Sequence, residues 1–313
     1  MEQSTTIKRT STKRKIKKWL LGKHFTDGLI FKISVYLLLT CIGFIYMYPM
    51  LYMLSNSFKS SSDIVNPMVE WIPTALYFDN FLRAIKVLKY FKTLGQSLKI
   101  TLVPALIQTA VTSFIGYGFA KYHFRFKKFL LILVILTFVI PSQVYMIPRY
   151  VMFYRFDLLG KALAIILPAL FGQGLNSAIF ILIFYQFFRM IPKSLNEAAE
   201  IDGAGPYYIF FRISVPLAIP AYITCFLFGL VWYWNETYIA YMFLGGDYPN
   251  LQMRLANFVS AYNAQYASEE LMKINEGVRL SATLLIILPM LIVYFAMQRW
   301  FVEGVEKSGI TGE

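Results

Sequence analysis

The sequence predicts an all-α, polytopic membrane protein with six transmembrane helices. Of its 313 residues, 58% are hydrophobic and only 15% are charged, whereas about a quarter of the residues in soluble proteins are charged. The hydrophobic residues come in stretches of roughly 20, the length that a helix needs to cross a hydrocarbon core of about 30 Å. The formal net charge of +13 fits the excess of Lys and Arg on cytoplasmic segments and predicts no nucleic-acid partner.

Six apolar segments are the predicted transmembrane helices. The first has a long polar leader and no small-x-small cleavage site near its end, which indicates a retained anchor rather than a signal peptide. We expect a basic leader over 1–28, one membrane domain over 29–304 and a short tail over 305–313. The leader near 13–24 either lies on the inner leaflet or is disordered. The six segments run approximately over 29–54, 97–120, 129–153, 162–188, 221–244 and 281–302.

Basic residues predict the orientation, because cytoplasmic segments retain excess Lys and Arg. The leader is strongly basic, and the link 121–128 carries four basic residues and no acidic one. Both are therefore expected in the cytoplasm, together with the loop 189–219 and the carboxyl terminus. The segments 55–96 and 245–280 are expected outside, although five basic residues in 55–96 weaken the bias.

The loop 189–219 contains the signals of two short helices. Ser194 followed three residues later by Glu197 predicts a capping box at the start of the first helix. Gly203 suits the left-handed position that ends a helix, and Pro206 suits the first turn of the next one. These signals alone also fit an amphipathic connector at the membrane interface.

The spacing within this loop is more specific than its caps. The tripeptide Glu-Ala-Ala at 197–199 is followed after three residues by Gly203, and after nine more by Ile213-x-x-Pro216. This pattern resembles the EAA loop of the inner-membrane subunits of ABC importers. The resemblance implies a coupling helix seated in a cleft of a nucleotide-binding subunit. It assigns ATPase coupling to Glu197, Ala198, Ala199, Asp202, Gly203, Ala204, Pro206, Ile213 and Pro216.

Further similarity lies outside the loop. The stretch 117–128 looks like the end of a span and the basic link of sugar-uptake permeases, and Trp234-Asn235-Glu236 fits the same group. The tail 298–304 is similar to that of the smaller, six-span subunit of maltose-type transporters. Together these features cover approximately 30–313 and imply the fold of a type I ABC importer transmembrane domain in a bacterial cytoplasmic membrane.

The resemblance also implies the partners. They are a second, non-identical permease subunit, an ABC ATPase dimer, an extracellular sugar-binding protein, the carbohydrate substrate and membrane lipids. The chain carries no G-x-x-x-x-G-K-[ST] phosphate loop, which such ATP-binding proteins use to hold the phosphates. We therefore expect no enzyme activity and no cofactor in this chain, with ATP and Mg²⁺ bound by the partner ATPase.

Polar residues inside the apolar segments are the candidates for the translocation pathway, because ionisable groups within a span are costly and often functional. Asn235 and Glu236 either line a cavity or form a structural hydrogen-bond anchor in an irregular part of the fifth segment. Gln173 and Asn176, close to aromatic side chains, are candidates to bind carbohydrate hydroxyls.

Two other functions remain open at this stage. The first is an ion-coupled secondary transporter that uses Glu236, although no inverted repeat is visible. The second is a membrane anchor or assembly protein without a pathway, against which the prolines and polar residues within the segments argue.

Overall fold

The computed structural model describes residues 19–20, 28–267 and 273–309, with side chains described as far as residue 300. The leader segment 13–24, except its residues 19–20, and the last four residues of the tail lie outside these ranges. All regular elements within these ranges are helices. In chain order they are α1 (Leu29–Ser57), α2 (Ser61–Val65), α3 (Asp79–Leu88), α4 (Tyr90–Lys121), α5 (Lys127–Val139), α6 (Ser142–Arg155), α7 (Leu163–Leu170), α8 (Ser177–Met190), α9 (Lys193–Ile201), α10 (Pro206–Leu217), α11 (Ile219–Asn235), α12 (Tyr238–Leu244), α13 (Leu251–Ala256), α14 (Phe258–Gln265) and α15 (Glu276–Gly309).

The chain forms two compact units, the first ending at Phe78 and the second beginning at Asp79. In the first unit, α1 has 29 residues and is about 43 Å long, enough to cross a bilayer. Two buried charged side chains form hydrogen bonds within the segment that follows α1 and stabilise its conformation. The Nζ of Lys59 donates to the carbonyls of Val69 and Glu70 at 3.0 and 2.7 Å, and Asp63 accepts from the Thr74 hydroxyl at 2.7 Å.

In the second unit, the long helix α4 is the central element. It packs against α7, α8 and α11, and one glycine allows its close approach to α8. A Cβ added to Gly116 would lie 2.6 Å from the Cβ of Phe184 and 2.9 Å from the backbone nitrogen of Tyr185. Any larger residue at this position would push the two helices apart. The close contact between α4 and α8 therefore requires glycine at residue 116.

The predicted set of six spans agrees with the upper limit that the helices allow. Helices α1, α4 and α15 are each long and apolar enough to cross a membrane, and the number rises to six if each of three bent pairs is one span. The bends are 95° between α5 and α6, 70° between α8 and α9, and 76° between α10 and α11.

Three of the six predicted segments are not continuous helices. The segment 129–153 breaks at Ile140–Pro141, because proline lacks the N–H that would continue the helix. The segment 162–188 is interrupted over 171–176, where Gly172 and Asn176 have φ values of +68° and +51°. The segment 221–244 breaks after α11, at the extended residue Glu236.

Candidate functional site

The first helix of the loop 189–219 is α9, and it begins earlier than predicted. Its N-cap is Pro192, two residues before the predicted N-cap Ser194, at φ −54° and ψ 136°, and no side chain caps the helix. The predicted capping box of Ser194 and Glu197 is therefore wrong. Because proline is restricted to φ near −65°, the chain enters α9 directly after Pro192, and Ser194 lies within the first turn.

The end of α9 agrees with the sequence. The N–H of Ala204 donates to the carbonyl of Ala199 at 2.9 Å, and the N–H of Gly203 donates to the carbonyl of Glu200 at 3.0 Å. This pair of bonds is a Schellman motif, which requires a left-handed residue at the position of Gly203. The φ of Gly203 is +81°, and the helix therefore ends in a compact turn.

The second helix, α10, begins at Pro206 as predicted. It contains a π-helical turn over Ile209–Ser214, then bends into α11 beyond Leu217. The buried ring of Phe210 lies 4.8 Å from that of Tyr117 on α4 and 6.1 Å from that of Phe188 on α8. The loop is thereby packed against the ends of two helices of the second unit.

The outer surface of the loop is exposed. Among the predicted coupling residues, Ala199 is only 8% exposed and packs inward, which leaves Ala198 as the accessible small residue. Beside them, Ile201 and Tyr207 are 86% and 77% exposed, so that the outer surface of the loop carries large apolar groups as well as charged ones. The exposed members are Glu197, Ala198, Asp202, Gly203, Pro206 and Pro216, while Ala204 and Ile213 are half-buried.

Two neighbouring cavities lie at the breaks of the helices. The smaller has a volume of about 300 Å³ and is lined by three of the predicted pathway residues, Asn176, Asn235 and Glu236. The larger, of about 1270 Å³, is lined by Gln173 and again by Asn176. The structure thus brings the four residues to one region, but Gln173 and Glu236 line different cavities.

Glu236 stabilises the break in its own span. Its Oε1 accepts the N–H of Ile239 at 2.8 Å, in the first turn of α12, while the side chain of Asn235 donates to the carbonyl of Val231 at 2.9 Å. A carboxylate near the start of a helix is favoured by the helix dipole. Glu236 therefore both lines the smaller cavity and holds the irregular middle of the span.

A buried polar network that the sequence analysis missed anchors the break between α7 and α8. Gln108, fully buried in α4, donates from Nε2 to the carbonyl of Leu175 at 2.6 Å and accepts from the hydroxyl of Tyr233 at 2.6 Å. The Tyr233 oxygen accepts the N–H of Leu175 at 3.2 Å. A Cβ on Gly174 would clash with both side chains, and this position therefore requires glycine.

Arg149 is a further residue that was not among the sequence-predicted candidates. It lies on α6 and lines both cavities. It could have been found from its position, since it is an ionisable residue within the apolar segment 129–153, and the same criterion selected Glu236. Within the described ranges, no three His, Cys, Asp or Glu side chains form a group that could hold a metal ion.

Comparison with known proteins places this arrangement among transport components. Residues 112–307 match the family described as binding-protein-dependent transport system inner membrane component. The chain is 28% identical to the arabinooligosaccharides transport system permease protein AraQ of Halalkalibacterium halodurans, over 87% of this chain and 93% of that protein. It is 29% identical to the lactose transport system permease protein LacG of Rhizobium radiobacter, over 87% and 94%.

Solved structures share the fold, and one of them is informative here. It is the crystal structure of a bacterial ABC transporter involved in the import of the acidic polysaccharide alginate, with a TM-score of 0.75 and 24% identity over 87% of this chain and 96% of that chain. At this identity the match supports the architecture of the helices and nothing more specific.

Proposed function

Because the chain belongs to the family of binding-protein-dependent transport system inner membrane components, we propose that it forms half of the translocation pathway of an importer for carbohydrate of oligosaccharide size. The observation that carries the proposal is the loop 189–219. Its Schellman turn is fixed by backbone bonds, and its exposed apolar side chains fit a protein partner. The arabinooligosaccharides and lactose in the names of two relatives support the substrate class.

The mechanism that we propose is alternating access. An ABC ATPase dimer binds ATP and Mg²⁺ and closes on the loop 189–219, and the two permease subunits then open the cavities to an extracellular sugar-binding protein. In this arrangement the loop and both termini lie in the cytoplasm, as the basic residues of the leader favour. The second permease subunit is non-identical.

The cavities offer the groups that bind sugars. Asn176 and Asn235 can exchange hydrogen bonds with hydroxyl groups, and the aromatic rings of Tyr145 and Trp232 line the same smaller cavity. In the larger cavity, Gln173 lies beside Phe171. Gln173, Asn176 and Asn235 are exposed, so that their amide groups, which both donate and accept hydrogen bonds, are accessible to carbohydrate hydroxyls.

The proposal replaces the ion-coupled alternative. Family membership assigns the chain to binding-protein-dependent transport, and Glu236 is engaged by the N–H of Ile239. Uptake retained in a Glu236→Gln variant, which keeps a side-chain carbonyl to accept this bond, would agree with the absence of ion coupling. If uptake by the unchanged protein depended on protons or sodium and this dependence were lost in that variant, the result would instead support an ion-coupled transporter.

The decisive experiment combines copurification of the ATPase with uptake. We expect Glu197→Arg together with Gly203→Asp to reduce both the amount of copurifying ATPase and the uptake of the saccharide. Glu70→Arg reverses the charge of an exposed residue in the first unit. It is the matched control and should leave ATPase copurification and uptake unchanged. Unchanged uptake in the double variant, or a purified complex without any ATPase, would refute the proposal.

A further inference from the structure

Arg149 carries hydrogen-bond donors that other residues do not use. Its guanidinium carbon Cζ lies over the rings of Phe153 and Phe243, 5.2 and 5.5 Å from the two centroids. These cation–π contacts involve the positive charge and the ring faces, and they leave the five N–H donors of the guanidinium without hydrogen-bond acceptors. No hydrogen bond or ion pair joins Arg149 to another residue in the part of the chain that the structure describes.

The surroundings of Arg149 make the positive charge available to a ligand. It is the one charged side chain among the described residues that line the larger cavity. Glu236 lines only the smaller cavity, and its Oε1 accepts the N–H of Ile239. The start of α8 at Ser177 and Ala178 also lines the larger cavity, and the dipole of this helix is positive at that end.

We propose that Arg149 is the specificity-determining residue of the cargo site and that the cargo is an anionic saccharide, bearing a carboxylate or sulfate group. The proposal rests on the carbohydrate function proposed above and adds the charge of the substrate. The planar fork of an arginine matches such oxyanions with two parallel hydrogen bonds. An unpaired charge at membrane depth is costly, and an anionic cargo would supply the missing partner.

The structural alternative is that Arg149 only holds α6 against α12 through its cation–π contacts with Phe153 and Phe243. The two roles differ in what a substitution changes. A purely structural role predicts lower stability on substitution but an unchanged ratio of the affinities for charged and neutral cargo. A binding role predicts that the preference for charged cargo is lost.

The test is a binding measurement on the assembled importer in nanodiscs with two matched probes, trigalacturonate and its neutral methyl ester. We expect the acid to bind at least about tenfold more tightly, since a hydrogen bond to a charged group contributes at least about 1.5 kcal/mol. Arg149→Gln should abolish the difference, and Arg149→Lys should keep a smaller one because the charge remains. Arg155→Gln, on the same helix but exposed and lining neither cavity, should leave the difference unchanged. A sulfated trisaccharide in a third arm distinguishes the two anionic groups.

Two results would overturn the inference. One is equal, or equally undetectable, binding of all three probes to the unchanged complex, which does not depend on whether any variant folds. The other is a preference for the acid that survives Arg149→Gln in a folded complex. ATP hydrolysis by the same preparation tests the proposed function separately. A complex that hydrolyses ATP but does not distinguish the probes would refute only the charge of the cargo.

Discussion

At the scale of single residues, the backbone conformation of Gly203 determines the shape of the proposed coupling loop. Its φ of +81° allows the two bonds that close α9, and a Cβ at this position would meet no atom within 4 Å. Only two residues away, Gly205 has φ −74° and is equally open. An added Cβ would be uncrowded at both glycines, and only Gly203 has a φ that disfavours other residues. A difference between the two alanine variants would therefore report backbone strain alone.

We expect Gly203→Ala to weaken the loop by about 1 kcal/mol, because an L-residue is disfavoured in the left-handed region. If the ATPase binds the native turn, its affinity should fall by up to about fivefold. Titration of the purified ATPase against the reconstituted permease pair measures this. Gly205→Ala, without the strain, should bind as the unchanged protein does, and equal losses in both variants would contradict the argument.

The residue scale also shows what could be predicted from the sequence and what could not. The left-handed turn at Gly203 follows from local chemistry, whereas the cap at Ser194 failed because the neighbouring Pro192 has a stronger conformational restriction. The bond between Gln108 and Tyr233 joins positions 125 apart in the chain. Such a pair depends on the packing of helices, and no local pattern indicates it.

At the scale of elements, the breaks in the helices create the candidate site. Helices α6, α7, α11 and α12 and the break before α8 supply most of the lining of the smaller cavity. Hydrophobic composition does not change across a break, so the apolar segments 129–153, 162–188 and 221–244 each run through one. Irregular backbone at membrane depth is tolerated where it lines a cavity, and the polar residues Asn176 and Glu236 lie at such breaks.

Adding a single methyl group at Gly116 should weaken the contact between α4 and α8. A Cβ on Gly116 would approach the Cβ of Phe184 and the backbone of α8 at 2.6–3.0 Å, and a helix backbone cannot move as a side chain can. We expect Gly116→Ala to destabilise the protein by about 1–3 kcal/mol, as overpacking does. Thermal unfolding of the solubilised complex measures the loss.

Gly118→Ala is the matched control for this contact. It lies in the same helix two residues later, and its added Cβ would meet no atom within 4 Å. Alanine is also the better helix former, so that this variant should unfold at the same temperature as the unchanged protein or slightly higher. Equal losses in the two variants would show that helix packing is not the cause.

At the scale of the whole molecule, two helices of the second unit connect the loop with the cavities. Helix α8 begins beside Asn176 at the cavities and ends next to the loop, and α11 runs in the opposite direction, from the loop to Asn235. They have 14 and 17 residues, hence lengths of about 21 and 25 Å. Displacement of the loop would therefore move the cavity lining without bending a helix.

Phe210 is the residue through which this connection should be tested. Its buried ring packs against the rings of Phe114, Tyr117 and Phe188. Phe210→Leu keeps most of the apolar burial but removes the ring contacts. If the loop moves α4 and α8 through these rings, the ATPase should still copurify at the same level while uptake per ATP hydrolysed falls by about 2- to 30-fold, the range that coupling energies of about 0.5–2 kcal/mol cover.

The neighbouring Phe211→Leu is the control, because its ring is exposed and, among the described residues, contacts the rings of Phe114 and Phe210 but not those of Tyr117 and Phe188. A fall in ATPase binding with Phe210→Leu would mean that the ring supports the docking surface itself. An unchanged ratio of uptake to hydrolysis would mean that motion is transmitted elsewhere, through the direct chain connection from α10 into α11. The ratio, rather than uptake alone, distinguishes coupling from assembly, since a defect in assembly lowers uptake and hydrolysis together.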